Sequence, residues 1–211
     1  MCISLLGTKV GMTQIFNTSG LCIPVTIMQV GPCIITLIKT IESDGYNAVQ
    51  LGYKQISSHL LTNAQFGHLN HKGLPSLKYL YETKTDSPKS FKIGQIITAT
   101  NFKIGEFINV SGLTIGRGFS GYQKKHHFSR GPMSHGCKNH RKPGSIGAGT
   151  TPGRVFPGKK MAGRLGNNNT TIRNLQILDI DTNKDLVIIK GAVPGKVGNI
   201  VKIHPTLTLR S

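Results

Sequence analysis

Apolar and β-branched residues cluster in short runs over the first part of the chain. Leu21–Val30 and Cys33–Thr40 are two such runs, separated by Gly31-Pro32, and an Asp44-Gly45 turn leads into a third run at Tyr46–Tyr53. Short apolar runs bounded by Gly, Pro and Asp are typical of β-strands. Residues 1–56 are therefore predicted to be mainly β-structure.

The pattern weakens and then returns. Residues 57–90 are polar, and only a short helix near Asn63–Leu69 is predicted there. Strand patterns reappear at Gln95–Thr98, Phe107–Val110 and Leu113–Ile115. After a further gap they resume in three segments, at Thr170–Ile180, Leu186–Lys190 and Asn199–His204.

Between Gly116 and Gly166 hydrophobic periodicity disappears altogether. An irregular segment of this length is rare inside a compact domain and usually has a function of its own. Many short strands without βαβ spacing favour a closed antiparallel barrel. The sequence thus predicts a mainly β protein with a discontinuous barrel domain (1–115 and 171–211, with 57–90 as a peripheral insertion). A long irregular extension (116–170) is inserted between its core strands.

The charge of this extension indicates what kind of partner it binds. The chain has 211 residues and a formal net charge of +18, yet the 72 residues between Glu106 and Asp179 contain no acid, twelve Lys or Arg and four His. A folded surface normally mixes both signs, so a stretch of one sign indicates a polyanionic partner. Few large apolar residues lie in it, and we expect it to become ordered only against that partner.

Other features narrow the class of protein. No window approaches 18 apolar residues, and the N-terminus lacks the pattern of a signal or transit peptide, so neither a membrane span nor a targeting segment is expected. The four cysteines, Cys2, Cys22, Cys33 and Cys137, have no framework spacing, which fits free thiols in a reducing compartment.

Two glycine motifs resemble nucleotide-binding loops. Gly116–Gly121 matches G-x-G-x-x-G, but no amphipathic helix pattern follows and no acid lies about 20 residues on. Gly153–Lys159 resembles a P-loop, but Lys160 replaces the magnesium-binding hydroxyl, and Pro157 removes a backbone N–H. We expect neither to bind a cofactor.

A third pattern resembles a metal site or a catalytic thiol. Its residues are His126, His127, His135, Cys137 and His140. Their spacing is none of the usual zinc patterns, and the interleaved lysines and arginines would repel a divalent cation. No acid is near to orient a histidine against Cys137. Contacts of these histidines with bases or phosphates are the favoured interpretation.

The remaining interpretation is binding to folded RNA. Positive charges bind phosphates and glycines allow close backbone approach, while Phe119, Tyr122, Phe128 and Phe156 can stack on unpaired bases. No helix-turn-helix, zinc-finger or basic-zipper pattern is present. The candidate RNA-binding residues are Arg117, Lys124, Lys125, His126, His127, Arg130, Lys138, His140, Arg141, Lys142, Arg154, Lys159, Lys160, Arg164 and Arg173.

Several sequence blocks resemble one family. The segment 7–16 (GTKVGMTQIF) is similar to the opening signature of the large-subunit ribosomal protein L-three family. Four further blocks follow in the family's order, at Pro143–Gly147, Thr151–Val155, Gly158–Gly163 and Lys190–Gly195. The chain length resembles the bacterial and organellar branch. Two stretches, 130–136 and 145–152, are similar to cyanobacterial and plastid members.

The resemblance implies a translation-protein-type β-barrel whose extension threads through large-subunit rRNA toward the peptidyl-transferase region. It implies a structural constituent of the large subunit that acts early in assembly and has rRNA and neighbouring ribosomal proteins as partners. The tip of the extension, placed at 143–154, would comprise Gly144, Ser145, Gly147, Ala148, Gly149, Thr150 and Gly153. Some bacterial members carry a methylated Gln where this chain has Thr150, so we expect that modification to be absent.

The expected protein is therefore not an enzyme. We expect no cofactor, metal, membrane, small-molecule substrate or homo-oligomer. A plastid ribosome is the expected location because Ile, Asn and Lys are plentiful and no targeting segment is present; the alternative is the bacterial cytoplasm. Two alternative functions stay open: an extraribosomal RNA-binding chaperone, distinguished by its release from large subunits in high salt, and a nucleotide-binding enzyme, distinguished by a nucleotide titration.

Overall fold

A computed structural model describes residues 3–206, so Cys2 and the outermost residues of the predicted barrel domain (1–2 and 207–211) lie outside the described residues. The described chain is mainly β. The strands are β1 (Leu5–Phe16), β2 (Cys22–Val30), β3 (Cys33–Lys39), β4 (Ala48–Gln55), β5 (Leu77–Lys84), β6 (Ile96–Ile97), β7 (Phe107–Leu113), β8 (Phe119–Ser120), β9 (Gly163–Arg164), β10 (Asn169–Asp181), β11 (Leu186–Lys190) and β12 (Ile200–Pro205).

Helices are short. They are α1 (Ile41–Asp44), α2 (Asn63–Asn70) and α3 (Tyr122–His126), with 3-10 turns at Ser58–Leu60, Pro88–Ser90 and Ala99–Asn101. The helix predicted near Asn63–Leu69 is confirmed as α2. Thr62 starts it with a capping box, in which the Thr62 hydroxyl accepts from the Gln65 N–H and the Gln65 side chain accepts from the Thr62 N–H. No helix of the described residues is long and apolar enough to cross a membrane.

Six strands close into an antiparallel barrel in the order β1-β12-β7-β10-β11-β2, and β2 pairs back with β1. Its register places Leu5 opposite Ile203 and Gly7 opposite Val30. The register shifts between Lys9 and Gly11 in β1, as expected for the bulges that bend barrel strands. The predicted mainly β architecture, a barrel with an irregular basic extension between core strands, is confirmed.

Four strands between β2 and β7 do not belong to the barrel. They form a separate four-stranded sheet in the order β5-β4-β3-β6. The sequence pattern did not separate these strands from the barrel, because alternation along a strand does not specify its partner. It also missed β5, where Leu77–Lys84 lies in a polar context and pairs along most of β4. A further difference is α1, a single turn closed by Gly45 in the left-handed conformation (φ 80°) where only a turn was predicted.

Barrel and sheet share one hydrophobic core. Leu6 and Met28 of the barrel belong to the same buried cluster as Ile35 and Leu51 of the sheet. Tyr53 adds polar links, because its hydroxyl lies 3.0 Å from the Thr8 hydroxyl. Burying a side chain of the size of Leu, Ile or Met stabilises a fold by about 1.5–3 kcal/mol. The cluster therefore stabilises the barrel and the four-stranded sheet together.

A buried lysine joins two of the sequence blocks. Lys9 in β1 is only 7% exposed, and its ammonium donates to the carbonyl oxygens of Val193 (3.0 Å) and Gly195 (3.1 Å). Its backbone N–H donates to Asn199 O at 3.0 Å. Charge-assisted bonds of this kind are roughly twice as strong as neutral ones. They fix the loop after β11 against β1, which explains why a Lys occupies a buried position in this strand.

The chain divides into two compact units, residues 1–113 with 169–211 and residues 114–168. The first contains the barrel and the four-stranded sheet. The second, hereafter the arm unit, contains β8, α3 and β9. All 55 of its residues are described, and Ser120 is the only buried one. The arm unit therefore lacks a hydrophobic core, as its composition predicts.

Candidate nucleic-acid interface

The two ends of the arm unit pair with each other. The Thr114 N–H donates to Asn168 O at 3.0 Å, and the Arg117 N–H donates to Leu165 O at 2.9 Å. The Leu165 N–H in turn donates to Gly118 O at 2.9 Å, next to the β8–β9 ladder. The segments 114–120 and 163–168 thus form a hydrogen-bonded antiparallel base from which the remaining residues loop out.

One glycine allows these segments to approach closely. Gly166 has a φ of 72°, and a Cβ at this position would collide with the carbonyl oxygen of Ile115. A side chain is therefore excluded both by the backbone conformation and by the neighbouring segment. Gly166 is a structural requirement of the base and not a phosphate-binding glycine.

An aromatic cluster follows the base. The rings of Tyr122 and Phe128 are stacked with centroids 6.2 Å apart, and His126 lies 6.0 Å from Phe128. The His126 Nε2 is 2.9 Å from the carbonyl oxygen of Met161, which it reaches as a donor. His127 has a left-handed conformation (φ 58°), which ends α3 and turns Phe128 back toward the helix. The cluster holds the Phe128 ring by contacts within the arm unit.

The next loop, residues 131–140, is closed by its own backbone. The Gly131 N–H donates to His140 O at 3.1 Å, and the His140 ring Nδ1 lies 2.9 Å from Pro132 O. A Cβ on Gly131 would lie 2.6 Å from Asn139 O, so glycine is needed for this approach. His140 therefore has one ring nitrogen engaged in the loop and the other available to a partner.

The predicted tip, residues 143–154, is an exposed and thin segment. Gly149 has open space around its α-carbon, and Gly147 has a φ of 150° with nothing near it. The segment is held locally by a bond from the Gly153 N–H to Gly149 O (3.2 Å) and by contacts of the Ser145 hydroxyl with Gly147. A partner would meet backbone, small side chains and the exposed side chains of Ile146 and Arg154 here.

Positive charge covers the arm unit without any counter-charge. It contains eleven Lys and Arg and no Asp or Glu. All eleven are exposed except Lys125, which is half-buried with its ammonium over Gly163. Over residues 3–206 a single ion pair is present, and it joins Lys39 to Glu82 at 2.8 Å in the four-stranded sheet. Arg164 has an uncharged partner, since its Nη2 donates to the backbone oxygen of Asn167 at 2.9 Å.

Fourteen of the fifteen candidate RNA-binding residues, from Arg117 to Arg164, lie in the arm unit, and all seven tip residues are there too. The remaining candidate, Arg173, is exposed on β10 in the barrel. These positions were predicted from positive charge and from histidines suited to contact bases or phosphates, and the structure adds which of them share a loop.

A polar cleft around Arg173 was not predicted. It has a volume of about 520 Å³ and contains no carboxylate. Its lining residues are Asn109, Ser111, Thr171, Arg173, Asn174, His204 and Thr206. Hydroxyl and amide groups beside an arginine fit an RNA backbone, which offers phosphate and ribose oxygens. The outward-facing polar residues of β7 and β10 are the sequence signal for this cleft, but only the pairing of these strands brings them together.

The structure also shows the surroundings of the two glycine motifs and of the metal-like pattern described in the sequence. Gly116–Gly121 runs through the paired base and into the five-residue α3, so no long helix presents its N-terminus to a pyrophosphate. No helix follows Gly153–Lys159, since β9 is the next element. In the part of the chain that is described, no group of three or more His, Cys, Asp or Glu side chains is arranged to hold a metal ion.

Comparison with known proteins gives consistent matches, and the relatives named below cover nearly the whole chain. The family model described as Ribosomal protein L3 matches residues 82–186. The chain is 60% identical to "Large ribosomal subunit protein uL3c" of Pyropia yezoensis, over 96% of this chain and 99% of the relative. It is 58% identical to the protein of the same name from Porphyra purpurea, with the same coverage. It is 56% identical to "Large ribosomal subunit protein uL3" of Synechococcus sp. (strain JA-2-3B'a(2-13)), over 97% of this chain and 96% of the relative.

Proposed function

This chain belongs to the ribosomal protein L3 family, and we propose that it is a structural constituent of the large ribosomal subunit. In this proposal it binds large-subunit rRNA, aids early subunit assembly and supports the peptidyl-transferase region through the arm unit. It is not an enzyme, and its contribution is to position RNA.

The observation that carries the proposal is the composition of the arm unit together with its burial. It has eleven positive side chains and no carboxylate, and Ser120 is its only buried residue. A segment without a core gains little from folding on itself, whereas RNA supplies both the counter-charge and a surface to fold against. The arm unit is therefore built to be enclosed by RNA.

Each part of the arm unit has a defined role in this proposal. The arginines and lysines neutralise phosphates, and Arg can do so with two parallel bonds. The tip, with no carboxylate and no His, positions nucleotides and transfers no protons. The cleft around Arg173 adds contacts to the RNA backbone from the barrel. Neighbouring ribosomal proteins are the further partners.

A plastid ribosome is the proposed location, with a bacterial ribosome as the alternative. The support is the similarity to red-algal uL3c and to cyanobacterial uL3 at comparable identity. Both kinds of ribosome are of the bacterial type, so the proposed chemistry of the interface is the same in either.

The test is replacement of the resident gene for this family in a cyanobacterium by a tagged copy of this chain. We expect the tagged chain to sediment with large subunits in a sucrose gradient and to stay with them through a high-salt wash. Release in the wash would favour an extraribosomal RNA chaperone. Failure to sediment with subunits, together with saturable binding of a nucleotide by the purified chain, would favour the enzyme alternative.

A further inference from the structure

The arm unit contains a small cavity whose lining includes two of the fifteen candidate RNA-binding residues, Lys159 and Lys160. Its volume is about 310 Å³. Phe128, Pro143 and Ile146 form its apolar lining, and Lys159 and Lys160 also line it. Ligand pockets in proteins are commonly about 300–1,000 Å³, so this one is of the smallest useful size. A cavity of this size suits a single small group and not an extended ligand.

The aromatic lining is fixed before any partner arrives. Phe128 is 37% exposed, and its ring is stacked on Tyr122 with an interplanar angle of 20°. His126 supports the same ring at 6.0 Å and is itself tied to Met161 O. Because the ring is already ordered, stacking on its free face costs little further side-chain entropy.

The charge around the cavity selects its occupant. Lys159 and Lys160 are exposed, and no carboxylate is present anywhere in residues 114–168 to neutralise them. A free anion would gain nothing from Phe128 and Ile146, and an apolar peptide side chain would gain nothing from two ammonium groups. A flat aromatic group attached to negative charge satisfies both parts of the lining, and an unstacked nucleotide has that chemistry.

We propose that this cavity holds one unstacked base of the large-subunit rRNA, stacked on Phe128, with the Lys159 and Lys160 ammonium groups on the phosphates that flank it. The inference rests on the proposed function and deepens it, because it assigns a single-nucleotide pocket within a surface otherwise described by its charge.

The experiment uses the full chain and a plastid-type large-subunit rRNA transcript, probed with dimethyl sulfate and with a 2′-hydroxyl acylating reagent. In the wild-type complex, one nucleotide that is unpaired in the rRNA becomes protected at its base. Phe128→Leu keeps an apolar side chain but removes the aromatic face. We expect it to restore reactivity at that nucleotide and to weaken binding by roughly 5- to 150-fold, the range for loss of one base–aromatic stack.

Two variants serve as controls. Phe128→Tyr keeps the aromatic face and retains the protection. Phe119→Leu removes an aromatic ring that is 81% exposed on β8 and does not line the cavity, so it leaves the nucleotide protected. A chain with p-benzoylphenylalanine at position 128 should cross-link to the same nucleotide upon irradiation.

The outcomes separate the two proposals. If the wild-type chain binds the transcript but Phe128→Leu leaves every nucleotide as protected as before, the pocket proposal is overturned while the proposed function stands. The same holds if Phe119→Leu exposes the same nucleotide, or if the cross-link maps elsewhere. If the wild-type chain does not bind the transcript at all, the proposed function fails and the pocket proposal fails with it.

Discussion

The charge of the arm unit predicts how strongly salt weakens RNA binding. Lys159 and Lys160 are adjacent, exposed and far in sequence from any acid, so we choose Lys159→Gln/Lys160→Gln as the perturbation. Glutamine keeps the length and polarity of the side chain and removes only the charge. The matched control is Lys89→Gln/Lys92→Gln, which removes two charges that are also exposed but belong to the unit that contains the barrel.

The magnitude follows from counterion release. Each phosphate contact contributes about 0.7–0.9 to the slope of log affinity against log salt concentration, so loss of two contacts lowers the slope by about 1.4–1.8. Raising the salt from about 50 to about 200 mM is a fourfold change. The double variant should therefore lose roughly 7- to 12-fold less affinity than the wild type over that range. With 6–10 contacts in total, the wild type itself should lose about 10³-fold or more.

The assay is filter binding of the full chain to the large-subunit rRNA transcript at four or more salt concentrations. The slope of the control variant should equal that of the wild type. An unchanged slope in Lys159→Gln/Lys160→Gln would mean that these ammonium groups do not meet phosphates. An equal decrease in both double variants would mean that binding responds to net charge and not to the arm unit.

Three further predictions concern the tip, the barrel and the thiols. Gly149 has open space around it and no left-handed backbone, so Gly149→Asp tests the effect of a negative charge without backbone strain. This variant should impair subunit assembly in a sucrose-gradient profile or change sensitivity to peptidyl-transferase antibiotics, whereas the uncharged Gly149→Asn should have a much smaller effect. Equal effects of the two variants would refute an electrostatic cause. Burial and the nearby Lys202 charge lower the pKa of His204 below 6.5, so the unfolded chain binds more protons and the free energy of unfolding falls as the pH decreases below about 6.5. Measured by urea unfolding, the difference in this free energy between about pH 7.5 and about pH 5.5 should be smaller in His204→Gln than in the wild type. An unchanged difference would contradict this assignment. Burial raises the pKa of the Cys33 thiol to about 11, so alkylation of the native chain should spare Cys33 and modify Cys137. Rapid labelling of Cys33 would mean that the core shared by the barrel and the four-stranded sheet opens.

Local pattern predicted most strands because their apolar runs are bounded by turn residues. Leu186–Lys190 is β11 with the predicted bounds, and the predicted Cys33–Thr40 differs from β3 by one residue. By contrast β5 was missed, since its stability comes from pairing with β4 and not from its own composition. Which sheet a strand joins is a property of distant residues, so the division into barrel and four-stranded sheet was beyond local reasoning.

The candidate site shows the same division. Charges are visible in the sequence, and the extension was predicted from the loss of hydrophobic periodicity together with the missing acids. The stack of Tyr122 on Phe128 was not predicted as a pair, because it depends on the left-handed conformation of His127, which no turn motif indicates. The cavity walls come from 128, 143–146 and 158–160, positions that only the fold of the arm unit brings together.

Because the first barrel strand pairs with the last, the barrel cannot close until β12 has been synthesised. β1 pairs with β2 on one side, but its other partner is β12, with Leu5 opposite Ile203. Until residues 200–205 exist, β1 and β7 keep an open edge, which is a template for pairing with other chains. The whole arm unit is made before that point, and at about 5–20 residues per second the remaining stretch to Pro205 takes about 2 to 7 s. During this interval the polycationic segment of the nascent chain is complete while the barrel is not, so early binding of RNA to that segment would also keep the open edges of different nascent chains apart.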